Sequence, residues 1–103
     1  KLIDRKVLNN LGKNGVIINV ARGSVIDQEE LINCLETNVI AGAGLDVYTN
    51  EPHIPQELMN VKNTVLLPHI GSATVETRIA MGQLVFDNIK AYFDNKPLIT
   101  PVV

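Results

Sequence analysis

Tryptophan is absent from this chain of 103 residues, and cysteine occurs once, at Cys34. A lone cysteine excludes an internal disulfide and fits a reducing, cytoplasmic compartment. Histidine is scarce as well: His53 and His69 are the two in the sequence, and with one cysteine they meet no metal-ligand spacing. Basic residues are neither dominant nor clustered. Nine Lys and Arg against eleven Asp and Glu leave a net charge of -2, which offers no electrostatic case for nucleic acid. No apolar run approaches the roughly 20 residues that a membrane-spanning helix needs. Glycines are present without forming a nucleotide-binding fingerprint. Gly42-Ala43-Gly44 lacks the third glycine three positions on, where Val47 stands, and falls inside an expected strand instead of at a strand-to-helix turn. These glycines are read as sites of close helix–sheet packing. Ser24 and Ser72 lack a nucleophile-elbow context, which argues against a serine hydrolase.

What is there is apolar patterning. Hydrophobic residues make up 46% of the chain, enough for a core and too many for a disordered segment. Asp4 caps an expected short helix with Val7, Leu8 and Leu11 on one face. Gly12 stops it, and Asn14-Gly15 reads as a turn. Val16 to Val20 is nearly all β-branched, the texture of a strand covered on both faces. Asp27 with Glu30 resembles a capping box, with Leu31, Cys34 and Leu35 at helical spacing behind it and the helix fading near Asn38. Ile40 to Val47 reads as a second strand. A long connection from Tyr48 to about Asn63 follows, broken by Pro52 and Pro55, with one helical turn expected at Gln56 to Met59. Structureless loops of that length are uncommon unless they function. The short apolar run Thr64 to Leu67 reads as a buried third strand. A final helix starts near Ser72 or Thr74 and carries an apolar stripe of Val75, Ile79, Gly82, Phe86, Ile89 and Phe93 before Asn95-Lys96-Pro97 ends it. The tail from Leu98 has no clear assignment.

Strands alternating with helices predict an α/β fold with a parallel sheet. Three strands make a thin sheet with an edge of unpaired backbone groups. That edge, the missing initial Met and the opening at Lys1-Leu2-Ile3-Asp4 lead to the expectation of a fragment of a longer protein.

Each expected strand delivers a polar group at its carboxyl end: Arg22 after the first, Asp46 after the second, His69 after the third. Glu51 lies in the loop between the last two. In open α/β sheets, ligands sit in the crevice outside the carboxyl ends of the strands. Pro68 ends the third strand because it has no N–H for the ladder. His69 is thereby presented at the rim as a candidate acid or base, since imidazole alone titrates unperturbed between pH 5 and 8. It reads equally as a turn histidine bonded to backbone. Arg22 has the fork that grips a carboxylate bidentately and stays charged at any working pH; the alternative is a surface arginine or a helix-associated ion pair. Glu51 is placed to accept from one imidazole nitrogen, fixing the tautomer and favouring the protonated ring, unless Glu51-Pro52 is only a turn. Asp46 is suited to accept from a ligand amide or to cap a turn.

Four segments carry a resemblance: Asn19-Val20-Ala21-Arg22-Gly23, Gly44-Leu45-Asp46-Val47, Asn50-Glu51-Pro52 and Pro68-His69-Ile70-Gly71-Ser72-Ala73-Thr74. In order and identity they resemble the D-isomer-specific 2-hydroxyacid dehydrogenases. With Glu76-Thr77-Arg78 behind it, the last segment is most similar to the glyoxylate/hydroxypyruvate reductase branch. The resemblance implies hydride transfer from NAD or NADP in reduced form, NADP being favoured by the branch, to a small 2-oxo acid, giving a D-2-hydroxy acid. It implies that Arg22 clamps the substrate carboxylate, that His69 donates the proton to the keto oxygen, and that Glu51 is its partner. Asp46 would bind the nicotinamide carboxamide, and Val20, Ala21, Arg22, His69 and Gly71 would line the cofactor.

The fold implied is the later half of a Rossmann-type doubly wound parallel sheet plus a long C-terminal helix. Residues 1–73 would belong to the NAD(P)-binding domain, and residues 74–103 to a helix and tail returning toward an absent substrate domain. A homodimer is expected at full length, with no nucleic-acid or membrane partner. As a fragment, the chain is expected to bind cofactor poorly and not to turn over. Two other readings stand beside this one. A dinucleotide-sensing corepressor resembling the family would be expected to carry a tryptophan after His69, and this chain has none. The other is an inactive truncation.

Overall fold

A computed structural model describes residues 1–102; Val103 lies outside the described residues. The chain begins with a helix, α1 (Arg5–Leu11), whose first turn is closed by the Asp4 carboxylate accepting from Val7 N–H at 3.0 Å. Gly12 ends it in the left-handed region at φ 78°, which glycine adopts without penalty. Strand β1 (Val16–Asn19) follows, then a 3-10 turn at Gly23–Val25 and helix α2 (Gln28–Glu36). Asp27 caps α2 by accepting from Glu30 N–H. Strand β2 (Gly42–Leu45), helix α3 (Gln56–Asn60) and strand β3 (Thr64–Leu66) complete the alternation.

The sheet is parallel throughout, in the order β1-β2-β3. Val16 stands opposite Gly42 and Asn19 opposite Leu45; Ala43 stands opposite Thr64 and Leu45 opposite Leu66. Parallel strands bring all three carboxyl ends to one rim, so the long-range consequence of the βαβ pattern is a line of polar residues along a single edge.

One face of the sheet, through Ile17, Ala43, Leu45 and Leu66, joins a core with Leu8 of α1, Leu31, Cys34 and Leu35 of α2, Ile40, and Leu58 of α3. Fully burying one such leucine contributes about 1.5–3 kcal/mol. The opposite face is open: Val16 is 57% and Ile18 65% exposed, and Val65 is exposed beside them. This corrects the reading of β1 as covered on both faces and of the third strand as buried. Buried side chains of α1, α2 and α3 all belong to the same core, so the helices of this unit cover one side only.

The glycines of β2 also depart from expectation. A Cβ at Gly42 would lie 2.8 Å from the Asn63 carbonyl oxygen, and one at Gly44 2.8 Å from Ile18 Cδ1. They accommodate a neighbouring loop and strand, not a helix. Strand β2 is shorter than the apolar run because Ile40 N–H turns back to the Cys34 carbonyl at the end of α2.

Residues 1–71 form one compact unit and residues 72–103 a second. In the second, helix α4 (Val75–Phe93) is capped by Thr74, whose hydroxyl accepts from Thr77 N–H at 3.2 Å. Asn88 ties the tail to it, accepting from the N–H groups of Ile99 and Thr100 at 3.0 and 3.1 Å. The stripe from Val75 to Phe93 is exposed. Among the described residues, no helix is long and apolar enough to cross a membrane.

Candidate active site

The rim begins at β1. Asn19, buried at the end of that strand, accepts from Ala21 N–H at 3.1 Å and donates from Nδ2 to the Arg22 carbonyl at 3.0 Å. This clasp shapes the turn and leaves the side chains of Val20, Ala21 and Arg22 exposed. Arg22 donates from Nη1 to the Ala21 carbonyl at 2.6 Å. Gly23 permits the turn to approach the end of β2: a Cβ there would fall 2.0 Å from the Tyr48 carbonyl carbon.

At the end of β2 stands Asp46, only 4% exposed. Its Oδ1 accepts from Ile70 N–H at 2.8 Å and its Oδ2 from Gly71 N–H at 2.7 Å. These bonds, that to Ile70 first, outweigh desolvation and hold the carboxyl below its ordinary value of 3.8. Asp46 therefore meets backbone amides of the third strand's turn, a partner that spacing alone did not identify.

Tyr48 is the residue sequence reasoning missed. Its backbone N–H donates to Glu51 Oε1 at 2.9 Å. Its hydroxyl lies 2.8 Å from the Leu67 carbonyl and 3.1 Å from that of Leu45, latching the ends of β2 and β3 together. Burial pushes the phenol up from its ordinary value of 10.0. The only sequence signal was a tyrosine, which needs a partner for its hydroxyl when buried, directly after a strand end.

Glu51 closes the arrangement. Its Oε2 lies 2.6 Å from His69 Nδ1, with the two side chains 33% and 44% exposed. The hydrogen bond from His69, then that from the Tyr48 N–H, holds the Glu51 carboxyl below its ordinary value of 4.5, and the Arg22 charge adds a smaller push in the same direction. His69 itself adopts φ 57°. The left-handed region costs a residue with a Cβ about 1–2 kcal/mol, so surrounding bonds must over-determine it. The turn's left-handed residues are His69 and Ser72; glycine is needed at position 71 for space, since a Cβ there would meet Asp46 Oδ2 at 2.9 Å. A small cavity of about 120 Å³ lies against the pair, lined by Tyr48, Pro52, Ile54 and Pro68 besides Glu51 and His69.

With Nδ1 held by a carboxylate, the other ring nitrogen, Nε2, is left to exchange a proton with a ligand. A permanent cation stands nearby at Arg22. The rim thus brings together an imidazole, a carboxylate on one of its nitrogens and a guanidinium whose charge reaches that carboxylate. His53 takes no part in it: its N–H closes a turn on the Asn50 carbonyl at 2.9 Å.

A family model described as "D-isomer specific 2-hydroxyacid dehydrogenase, NAD binding domain" matches residues 1–71. The chain is 52% identical over 102 residues to a glyoxylate/hydroxypyruvate reductase A of Arabidopsis thaliana, covering 99% of this chain and 33% of that protein. It is likewise 52% identical over 102 residues to a 2-ketogluconate reductase of Gluconobacter oxydans, with coverage of 99% and 33%. Among solved structures, it is similar to an NADPH-dependent glyoxylate/hydroxypyruvate reductase of Sinorhizobium meliloti in complex with NADP and malonate: TM-score 0.85, 50% identity, 98% of this chain and 32% of that one. The chain therefore spans about a third of the length of the relatives it matches.

Proposed function

The chain belongs to the D-isomer specific 2-hydroxyacid dehydrogenases, and from that premise we propose that it is the catalytic-rim portion of an NAD(P)-dependent reductase of small 2-oxo acids such as glyoxylate or hydroxypyruvate. The carrying observation is the 2.6 Å contact between His69 Nδ1 and Glu51 Oε2 at the carboxyl rim of the sheet, with Arg22 close enough to bias the Glu51 carboxyl.

The residues present fit the nicotinamide end of a dinucleotide. Val20 and Ala21 expose their side chains beside the rim, and Gly71, exposed on the same rim, has no side chain to obstruct a ligand's approach. Val20, Ala21, Arg22, Asp46, His69 and Gly71 are the residues we assign to hold it. NADPH is favoured, because the reductase relative whose structure is so described uses it. The bound cofactor supplies the hydride to the carbonyl carbon.

Arg22 grips the carboxylate of the 2-oxo acid with its fork and fixes the keto group at the rim. As the carbon–oxygen π bond opens, the oxygen takes that electron pair and a proton from His69 Nε2, giving the 2-hydroxy acid. Glu51 holds Nδ1–H throughout, keeps the ring oriented and stabilises its positive charge before transfer. In the reverse direction the same nitrogen takes the proton back.

Residues 1–73 are assigned to the later half of a cofactor-binding domain. Residues 74–103 are assigned to a helix and tail that return toward a substrate domain outside this chain, in a homodimer. The test is oxidation of NADPH and NADH by the full-length protein with glyoxylate and with hydroxypyruvate. Turnover with at least one is expected; none with any small 2-oxo acid ends the proposal.

A further inference from the structure

We propose that Asp46 is the positioning residue of His69: from the end of β2 its carboxylate seizes the two backbone N–H groups that follow the histidine and so aims the imidazole at Glu51. The inference rests on the reading of His69 as the proton donor. The Asp46 oxygens engage successive amides of one turn, Ile70 at 2.8 Å and Gly71 at 2.7 Å. Two successive N–H groups brought together by a residue in the left-handed region form an anion-binding concavity. His69 is that residue, at φ 57°, and the anion is the chain's own carboxylate.

The side chain that fills this concavity is almost wholly buried. Gly71 is what lets it approach, because a Cβ would stand 2.9 Å from Oδ2. On the other side of His69, the Tyr48 hydroxyl holds the Leu67 carbonyl at 2.8 Å. The histidine is thus bracketed before and after by residues of one strand end, and its ring meets Glu51 Oε2 at 2.6 Å.

The test is nuclear magnetic resonance of the histidine ring nitrogens and backbone amides in the cofactor-free full-length protein, with His53 as the internal reference. Asp46→Asn keeps the size of the side chain but sets an amide nitrogen against one of the two N–H groups. It is expected to convert His69 from a single Nδ1-protonated tautomer to a mixture and to speed exchange of that proton by about tenfold or more, with His53 unchanged. Glu51→Gln should disturb the His69 ring equally while leaving the Ile70 and Gly71 amides protected, an asymmetry that general loosening of the fold would not produce. An Asp46→Asn chain with the His69 ring of the unmodified chain overturns the proposal. Should that variant fail to fold, the unmodified chain decides. Slow exchange at both amides with a single His69 tautomer supports the proposal; rapid exchange at both overturns it. None of these readouts needs turnover, so the inference and the reductase reading can fail separately.

Discussion

Arg22, at the end of β1, donates to the carbonyl of its own neighbour Ala21 and stands exposed. Along the same rim, Asp46, Tyr48, Glu51 and His69 hold one another across two strand ends, through side chains and backbone alike. The proposed function gives the two regions different duties. A group that passes a proton must be aimed before the reacting atoms arrive, because orientation carries much of the rate. A guanidinium that grips a carboxylate needs no such frame. Its charge is permanent, and the ligand brings the other half of the bidentate pair.

Replacing a residue from each side should separate these duties. The largest effect is expected for His69→Gln in the full-length protein, with kcat lowered by about 10²–10⁴-fold and KM little changed. Steady-state kinetics checks it, and a rise in KM at unchanged kcat would break the distinction. Gly23→Ala comes next, because it drives a Cβ into the Tyr48 backbone where the two regions touch. Overpacking of that kind destabilises by about 3 kcal/mol, and at about 4–8 °C per kcal/mol for a domain of this size the thermal midpoint should fall sharply. An unaltered melting curve would mean that the β1 turn does not abut the end of β2.

Arg22→Ala should mainly raise KM, lowering kcat/KM by roughly 10–100-fold for a lost charge-assisted bond. Its unfolding free energy should stay within about 0.5 kcal/mol of the unmodified chain. A large loss of stability would show that Arg22 is framed like His69.

The smallest expected effect is the acid limb of stability. Glu51 and Asp46 both titrate below their ordinary values of 4.5 and 3.8 in the folded chain. Protons therefore bind the unfolded chain more readily. The stabilisation is complete above those values and is lost as pH falls through the lower folded ones. Urea midpoints should decline below about pH 4, and less steeply in Glu51→Gln. Identical acid limbs in the two proteins would contradict the Glu51 assignment.

Much of this arrangement was legible in the sequence where the signal is local. Asp4, Asp27 and Thr74 declare helix starts because a capping oxygen must lie within three residues of its donor. The three strands declare themselves through β-branched or small apolar runs, and their parallel pairing follows from the intervening helices. Glu51 and His69 were paired by chemistry alone. What was hidden depends on backbone groups distant in the chain. Asp46 reaches amides 24 and 25 residues on, and the Tyr48 hydroxyl a carbonyl 19 residues on. An amide or carbonyl has no letter of its own, so no pattern announces these bonds. The left-handed turn at His69 was hidden for the same reason: the bonds that stabilise it come from elsewhere. The open face of β1 escaped because Val16 and Ile18 look like core, and only the packing of α1, α2 and α3 on one side shows that nothing in this unit covers them.

The contrast between a framed histidine and an exposed arginine is most directly tested by nitrogen relaxation in the cofactor-free full-length protein. The backbone amides of His69, Ile70 and Gly71 should behave as rigid structure, with order parameters near about 0.85, while Arg22 Nε falls below about 0.6. Equal order at the two places, or a mobile His69 turn beside a fixed Arg22, would contradict the account.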